Sequence, residues 1–209
     1  MRRYLAARSK PRGTTLIELM VSMAIVGLLM IEIWGMMHYG ARYVKRSNET
    51  LELQISTLKA LSWMSRELAE SSPISVRNET DGTYPTKGLV FGVPRDENGN
   101  LIPDSTGHLQ WRALVSYYID DTPGQRPRLM RAVEAYPTGG AAPINPIPPG
   151  KGANHFRVDP SIVNRRVVAV GVTDLIITPS GDSLRVEMTA ENESKDTAID
   201  SMTVLDLRN

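Results

Sequence analysis

In the segment Gly13-Thr14-Thr15-Leu16-Ile17-Glu18, residue type and spacing together suggest chemistry. Glu18 sits near the head of a run, Leu19 to Ile31, that has no charge and only Ser22 as a polar residue. A carboxylate so near the start of a membrane-length apolar helix costs a few kcal/mol or more. Such a group calls for a cationic partner, and Glu18 is the residue to explain first. Glu32 is the second acid in the same stretch, 14 residues further on. On a helix it projects within roughly 40° of Glu18. It reads as a side chain near the outer boundary that reaches water, or as a second polar contact with a neighbouring helix.

The elements around these acids are a basic leader and an anchor. Residues 1 to 13 hold Arg2, Arg3, Arg8, Lys10 and Arg12 and no acid; the chain carries +1 overall, so this leader's +5 leaves the rest at −4. A basic flank keeps its side of an apolar segment in the cytoplasm, which predicts the N-terminus inside and the body outside. Extended from Leu16 to Met37, the apolar stretch reaches roughly the 20 residues that cross a bilayer. A secretory signal has a shorter apolar core followed by small residues at the cut. Here the glycine precedes the apolar run, so a cut after Gly13 leaves the apolar helix on the mature protein.

G-T-T-L-I-E-L-M-V, behind a basic leader and ahead of an uninterrupted anchor, resembles the processing site of type IV prepilins and pseudopilins. Their usual form is Gly followed by Phe-Thr-Leu-Ile-Glu, and Thr14 stands where Phe is usual. The resemblance implies that a membrane-embedded prepilin peptidase cuts between Gly13 and Thr14 and methylates the new α-amino group of Thr14. It also gives Glu18 its cation: the Thr14 amine of a neighbouring subunit. Two opposite charges attract strongly in apolar surroundings, and either alone is costly to bury. Such a pair sets the register between subunits. Major pilins of this family have a helix-breaking proline 22 residues into the mature chain; Gly35 occupies that position here. Glycine weakens a helix by about 1 kcal/mol relative to alanine, so it permits local melting there without forcing it.

Beyond the anchor, Leu51, Ile55, Leu58, Leu61 and Leu68 recur at helical spacing and predict one buried stripe, ended by Ser71-Ser72-Pro73. After Pro73 the period changes. Six runs, 89–93, 111–119, 128–133, 166–177, 183–190 and 201–207, are rich in β-branched or aromatic residues and separated by turn-forming clusters. Leu184, Val186 and Met188 alternate with Arg185, Glu187 and Thr189. The expected fold class is α+β: a long N-terminal helix, transmembrane in its first half, whose second half packs on a C-terminal antiparallel sheet domain. The expected divisions are a leader at 1–13, a transmembrane and filament-core helix at 14–37, its amphipathic continuation at 38–71 and a β-rich periplasmic domain at 72–209. The last contains a proline-rich loop at 138–152.

The body is similar to a narrower group. L-x-x-L-S-W-M-S-R-E-L-A at the helix end, then W-R-A-L-V-S-Y-Y-I-D, R-L-M-R and the ending V-L-D-L-R-N, resemble PilW-type minor pilins and J-type pseudopilins of type II secretion. That likeness implies a structural subunit of the bacterial inner membrane and then of a filament. Its partners would be the peptidase, other minor and major pilins or pseudopilins, and the inner-membrane assembly platform.

Nothing in the sequence points to catalysis, and neither a cofactor nor a metal is expected. His38, His108 and His155 are isolated in sequence and lack metal-ligand spacing, and no nucleophile-elbow, phosphate-loop or zinc-protease pattern occurs. Asp96 to Asn100 places oxygen ligands about a glycine but lacks the spacing and terminal Glu of an EF-hand, so it reads as a hairpin turn. Trp34 suits a membrane interface, and Trp63 and Trp111 suit a core. The near-neutral charge leaves no footprint for nucleic acid. Arg157, Arg165, Arg166 and Arg185 are the candidates for a basic stripe on a ligand-binding head. A single-pass anchored enzyme or binding protein that never polymerises is the rival from another class.

Overall fold

The computed structural model describes residues 13–95, 99–101, 103, 110–136, 147–181, 183–193 and 196–206. Two compact units divide the chain, Met1–Ser47 and Asn48–Asn209. Helix α1 (Leu16–Leu68) supplies residues to both and runs without a break through Gly27, Gly35 and Gly40. In the first unit the large apolar side chains from Leu16 to Val44 are each at least half exposed. A helix this apolar with no covering layer has no core of its own, and it contains a stretch long and apolar enough to cross a membrane.

The second unit is built on two antiparallel sheets. Strands β1 (Val76–Glu79), β2 (Gly88–Val93), β3 (Ala113–Asp120), β4 (Arg128–Ala135) and β5 (Arg165–Val170) form a five-stranded sheet in sequential order. Strands β6 (Val172–Ser180), β7 (Ser183–Glu191) and β8 (Ala198–Asp206) form a second, three-stranded sheet. A short helix, α2 (Ala153–Val158), precedes β5.

Period-two alternation places Leu89, Phe91, Val93, Val115 and Tyr117 on one face of the larger sheet. There they join Leu53, Ala60, Leu61, Met64 and Leu68 of α1 and Leu184, Val186 and Met188 of β7 in the main core. The opposite face, Val90, Leu114, Tyr118 and Ala132, packs with Trp111 and with Ala153 and Phe156 of α2. Burial on both faces explains why β2 and β3 read as continuous apolar runs rather than alternating ones.

The helix stripe matches the expected one only in part, with Leu61 and Leu68 buried as expected. Leu53, Thr57, Ala60, Leu61, Met64 and Leu68 are the buried residues of α1, whereas Leu51, Ile55 and Leu58 are 50%, 65% and 61% exposed. The two sets lie on different faces of the helix. Thr57 is buried because its hydroxyl donates to the Leu53 carbonyl at 2.9 Å, which satisfies the polar group within the helix. The expected run 166–177 is also divided. Gly171, at φ +84°, breaks it into β5 and β6, which belong to different sheets. Among the residues expected to form the loop at 138–152, those before 147 lie outside the described set, as do the Asp96–Asn98 part of the hairpin turn and His108.

Polar ties fix the helix to the sheet. The Tyr117 hydroxyl donates to Glu67 at 2.7 Å, and Arg131 clasps the same carboxylate at 2.6 and 3.0 Å. Burial, aided by the Glu67 charge, pushes the Tyr117 hydroxyl far above its ordinary value. Arg95 forms a two-pronged pair with Glu70 at 2.6 and 2.7 Å, near the end of α1. Trp63 is held between two cations, Lys59 at 5.1 Å and Arg166 at 4.5 Å from its ring centre.

Candidate functional site

Thr15 is outside the helix and Leu16 is its first residue, so Glu18 occupies the third helical position. The Thr15 hydroxyl oxygen accepts the Glu18 backbone N–H at 3.3 Å. In return, a Glu18 carboxylate oxygen accepts the Thr15 backbone N–H at 2.8 Å and the Thr15 hydroxyl at 3.1 Å. This is a reciprocal capping box, in which two of the helix's otherwise unmet N–H groups are satisfied. The Ser22 hydroxyl donates to the Glu18 carbonyl at 2.7 Å, one turn on.

The box has two consequences. It gives the carboxylate a local task, starting the helix, whether or not a neighbouring chain is present. It also turns the charge back toward the N-terminal end, where the helix dipole favours an anion, and toward the bond that would be cut. The sequence signal for this box is T-x-x-E, Thr15 to Glu18, just before the apolar run.

Gly13 and Thr14 are exposed and non-helical, so the bond between them lies just ahead of α1. A side chain added at Gly13 would meet nothing within 4 Å. Among the described residues, packing therefore does not require a glycine there. Glu32 lies on the exposed helix surface in the same unit. Trp34 stacks on His38, ring centres 5.5 Å apart.

A second candidate lies on the head. A cleft of about 590 Å³ is lined by Arg77, Glu79, Tyr84, Asn154, His155 and Asp159, among others. Glu79 is only 2% exposed, and its carboxylate accepts Arg77 at 2.6 Å and the Ala153 N–H at 2.7 Å. His155, isolated in sequence, is here set between Glu134 at 3.0 Å and Asp159 at 3.5 Å, with Lys151 on Glu134 at 2.6 Å. Hydrogen bonds from Ser161 hold the Asp159 carboxyl below the usual carboxylate range. The signal for this cluster was invisible in sequence because Glu134 on β4 meets His155 on α2 only through folding. No serine, threonine or cysteine stands among the cleft's described lining residues as a nucleophile. Among the described residues, no cluster of His, Cys, Asp or Glu could hold a metal ion.

The four arginines considered for a basic stripe are each engaged. Arg157 pairs with Asp121 at 2.8 Å, Arg185 with Glu187 at 2.5 Å, Arg166 stacks on Trp63, and Arg165 donates to the Asp159 carbonyl. They do not form one bare basic stripe.

Residues 8–31 match the family model described as the prokaryotic N-terminal methylation motif. No curated protein and no solved structure matches the chain. The matched segment spans Gly13, Thr14, the capping box and the first turns of the exposed apolar helix. That segment gives the chain the N-terminal methylation motif of prepilins and pseudopilins, seated on a helix with a stretch long and apolar enough to cross a membrane.

Proposed function

We propose that this chain is a minor pilin of a type IV pilus, placed in the tip complex that primes assembly. The observation that supports the reading is the methylation motif seated on a capped, uninterrupted helix whose large apolar side chains are exposed from Leu16 to Val44. Before assembly the helix holds the chain in the bacterial inner membrane, with residues 1–13 in the cytoplasm and the head in the periplasm. Prepilin peptidase cleaves between Gly13 and Thr14 and methylates the new amine. Assembly then moves the helix from lipid into a bundle of like helices, where side-chain packing replaces lipid contact. The Glu18 carboxylate meets the Thr14 amine of a neighbouring subunit. Glu32, on nearly the same helix face, is available for a second polar contact. Head-to-tail contacts of this kind propagate as an open helical filament. The subunit is structural, and the energy for assembly comes from other proteins acting through the inner-membrane platform.

The body motifs at Leu58–Ala69 and Trp111–Asp120 equally favour a J-like pseudopilin of type II secretion. Both readings place the chain at filament initiation. A clean deletion is therefore expected to abolish or sharply reduce filament initiation, scored as pili per cell or as secretion of the system's substrate. Normal initiation in the deletion strain contradicts the priming role.

A further inference from the structure

The cleft beside α2 has a floor fixed by one buried carboxylate. Glu79 accepts the Arg77 Nε–H at 2.6 Å with one oxygen and the Ala153 N–H at 2.7 Å with the other, so it ties β1 to the first turn of α2. Gly152 lies against this carboxylate, and a side chain there would run into it. Arg77 is held at a second point, its guanidinium over the Tyr84 ring at 5.6 Å from the ring centre. Nε is engaged by Glu79 and one face by Tyr84, while no described residue takes up the two outer nitrogens. Elsewhere in the lining, the Asn154 side-chain oxygen accepts the Thr86 hydroxyl at 3.0 Å, which leaves the amide nitrogen as the donor. Asp159 accepts the Ser161 N–H at 2.8 Å and stays ionised at neutral pH. These groups are positioned before any ligand arrives.

The lining selects a chemical class. At about 590 Å³ the cleft has the size of a small-molecule site. Its ionised side chains are Arg77, Glu79 and Asp159, and a proton on His155 would bring their sum only to zero, so no surplus of positive charge holds a phosphate or carboxylate. An apolar ligand would strip water from the same ions and give nothing back. What the cleft offers is hydrogen-bond donors on Arg77 and Asn154 and an acceptor on Asp159, beside the 38% exposed ring of Tyr84. A pyranose matches that mixture, because its hydroxyls both donate and accept and its C–H faces stack on an aromatic ring. We propose that this cleft binds a neutral saccharide of one or two rings, with Tyr84 against a sugar face and Arg77, Asn154 and Asp159 on its hydroxyls. Both oxygens of Glu79 are engaged in holding the fold, which leaves Asp159 without the second carboxylate that glycoside hydrolysis uses; the site binds a sugar and does not cleave it. The site belongs to the head unit alone and stands whichever filament the chain joins.

The full-length chain, solubilised in lauryldimethylamine oxide so that no detergent sugar competes, is titrated by saturation-transfer NMR. The neutral probes are cellobiose, maltose, lactose and chitobiose; digalacturonic acid and inorganic phosphate are the anionic ones. Saturable binding of at least one neutral disaccharide is expected, with both anionic probes weaker. Tyr84→Ala is expected to weaken that binding at least tenfold, roughly the worth of a stacked ring, and Tyr84→Phe to keep it within about twofold. Tyr84 is 38% exposed and outside the core clusters, so neither change threatens folding. Val163→Ala, at an exposed position outside the cleft lining, is expected to bind as the unaltered chain does. Tighter binding of digalacturonic acid or phosphate than of every neutral disaccharide overturns the neutral class. Failure of all four disaccharides to bind saturably, or binding that Tyr84→Ala leaves undiminished, overturns the site.

Discussion

Glu18→Ala and Glu18→Gln are both expected to reduce recovery of the chain in sheared filaments by about a hundredfold or more, with membrane insertion and cleavage after Gly13 unchanged. The comparison separates the two tasks the carboxylate can perform. Glutamine keeps the capping box, because its amide oxygen still reaches back to the Thr15 N–H, which Glu18 now accepts at 2.8 Å. Alanine keeps the Thr15 hydroxyl as acceptor of the residue-18 N–H but loses the reciprocal bond to the Thr15 N–H, at a cost of about 1 kcal/mol. Only the charge is missing from the glutamine variant. Leaving one member of a buried ion pair alone costs about 3–5 kcal/mol, or two to four powers of ten in an assembly equilibrium. The charge effect therefore exceeds the capping effect, and the two variants should fail alike. Immunoblots of filament and membrane fractions read the ratio directly. Full incorporation of Glu18→Gln beside a defective Glu18→Ala would assign the residue to helix capping alone.

The largest expected loss of stability comes from one glycine. Gly171 has φ +84°, and a methyl group there would run into the Glu191 carbonyl oxygen and lie 2.6 Å from the Arg126 guanidinium. The same residue donates its N–H to Pro127 at 2.7 Å and accepts the Glu191 N–H at 2.8 Å, so the corner between the two sheets cannot shift without breaking both bonds. Backbone strain of about 1–3 kcal/mol adds to a similar overpacking cost, so Gly171→Ala is expected to destabilise the fold by about 3–5 kcal/mol. Gly181 provides the control. It also has positive φ, +62°, but a side chain there meets nothing within 4 Å. Gly181→Ala should cost only the backbone part, about 1 kcal/mol. Urea unfolding of the detergent-solubilised full chain compares the two. Equal losses at both positions would contradict the packed corner.

How far the sequence carried the fold depends on which forces decide each element. The long apolar helix and strands β7 and β8 were legible because one property repeats at one period, as in Leu184, Val186 and Met188. Helix α1 carries two apolar faces between residues 51 and 68, and periodicity alone does not say which one the sheets cover. The face with Leu51, Ile55 and Leu58 is as apolar as any, but the covered face joins Leu53, Leu61 and Leu68 to small or flexible residues, Thr57, Ala60 and Met64, that let the sheets approach closely. The break at Gly171 was missed because β-branched residues flank it on both sides, and a single glycine in such a run signals a bulge as readily as a change of sheet. Strand β1 was hidden by its polar composition, Val76-Arg77-Asn78-Glu79. It is held by tertiary bonds instead, among them the Asn78 amide donating to the Ile177 carbonyl at 2.7 Å.

The motif at Gly13, Thr14 and Glu18 falls within a short segment, and reading it requires no folding. The Glu134, Lys151 and His155 cluster shows the opposite case. Its members lie on different elements, and nothing in their sequence spacing predicted the meeting.

Intact-mass and N-terminal fragment spectra of the chain purified from native membranes or filaments bear most directly on this account. The first residue should be Thr14, its amine carrying one added methyl group, with residues 1–13 gone. A chain that still begins at Met1, or that starts at an unmodified residue elsewhere, contradicts it.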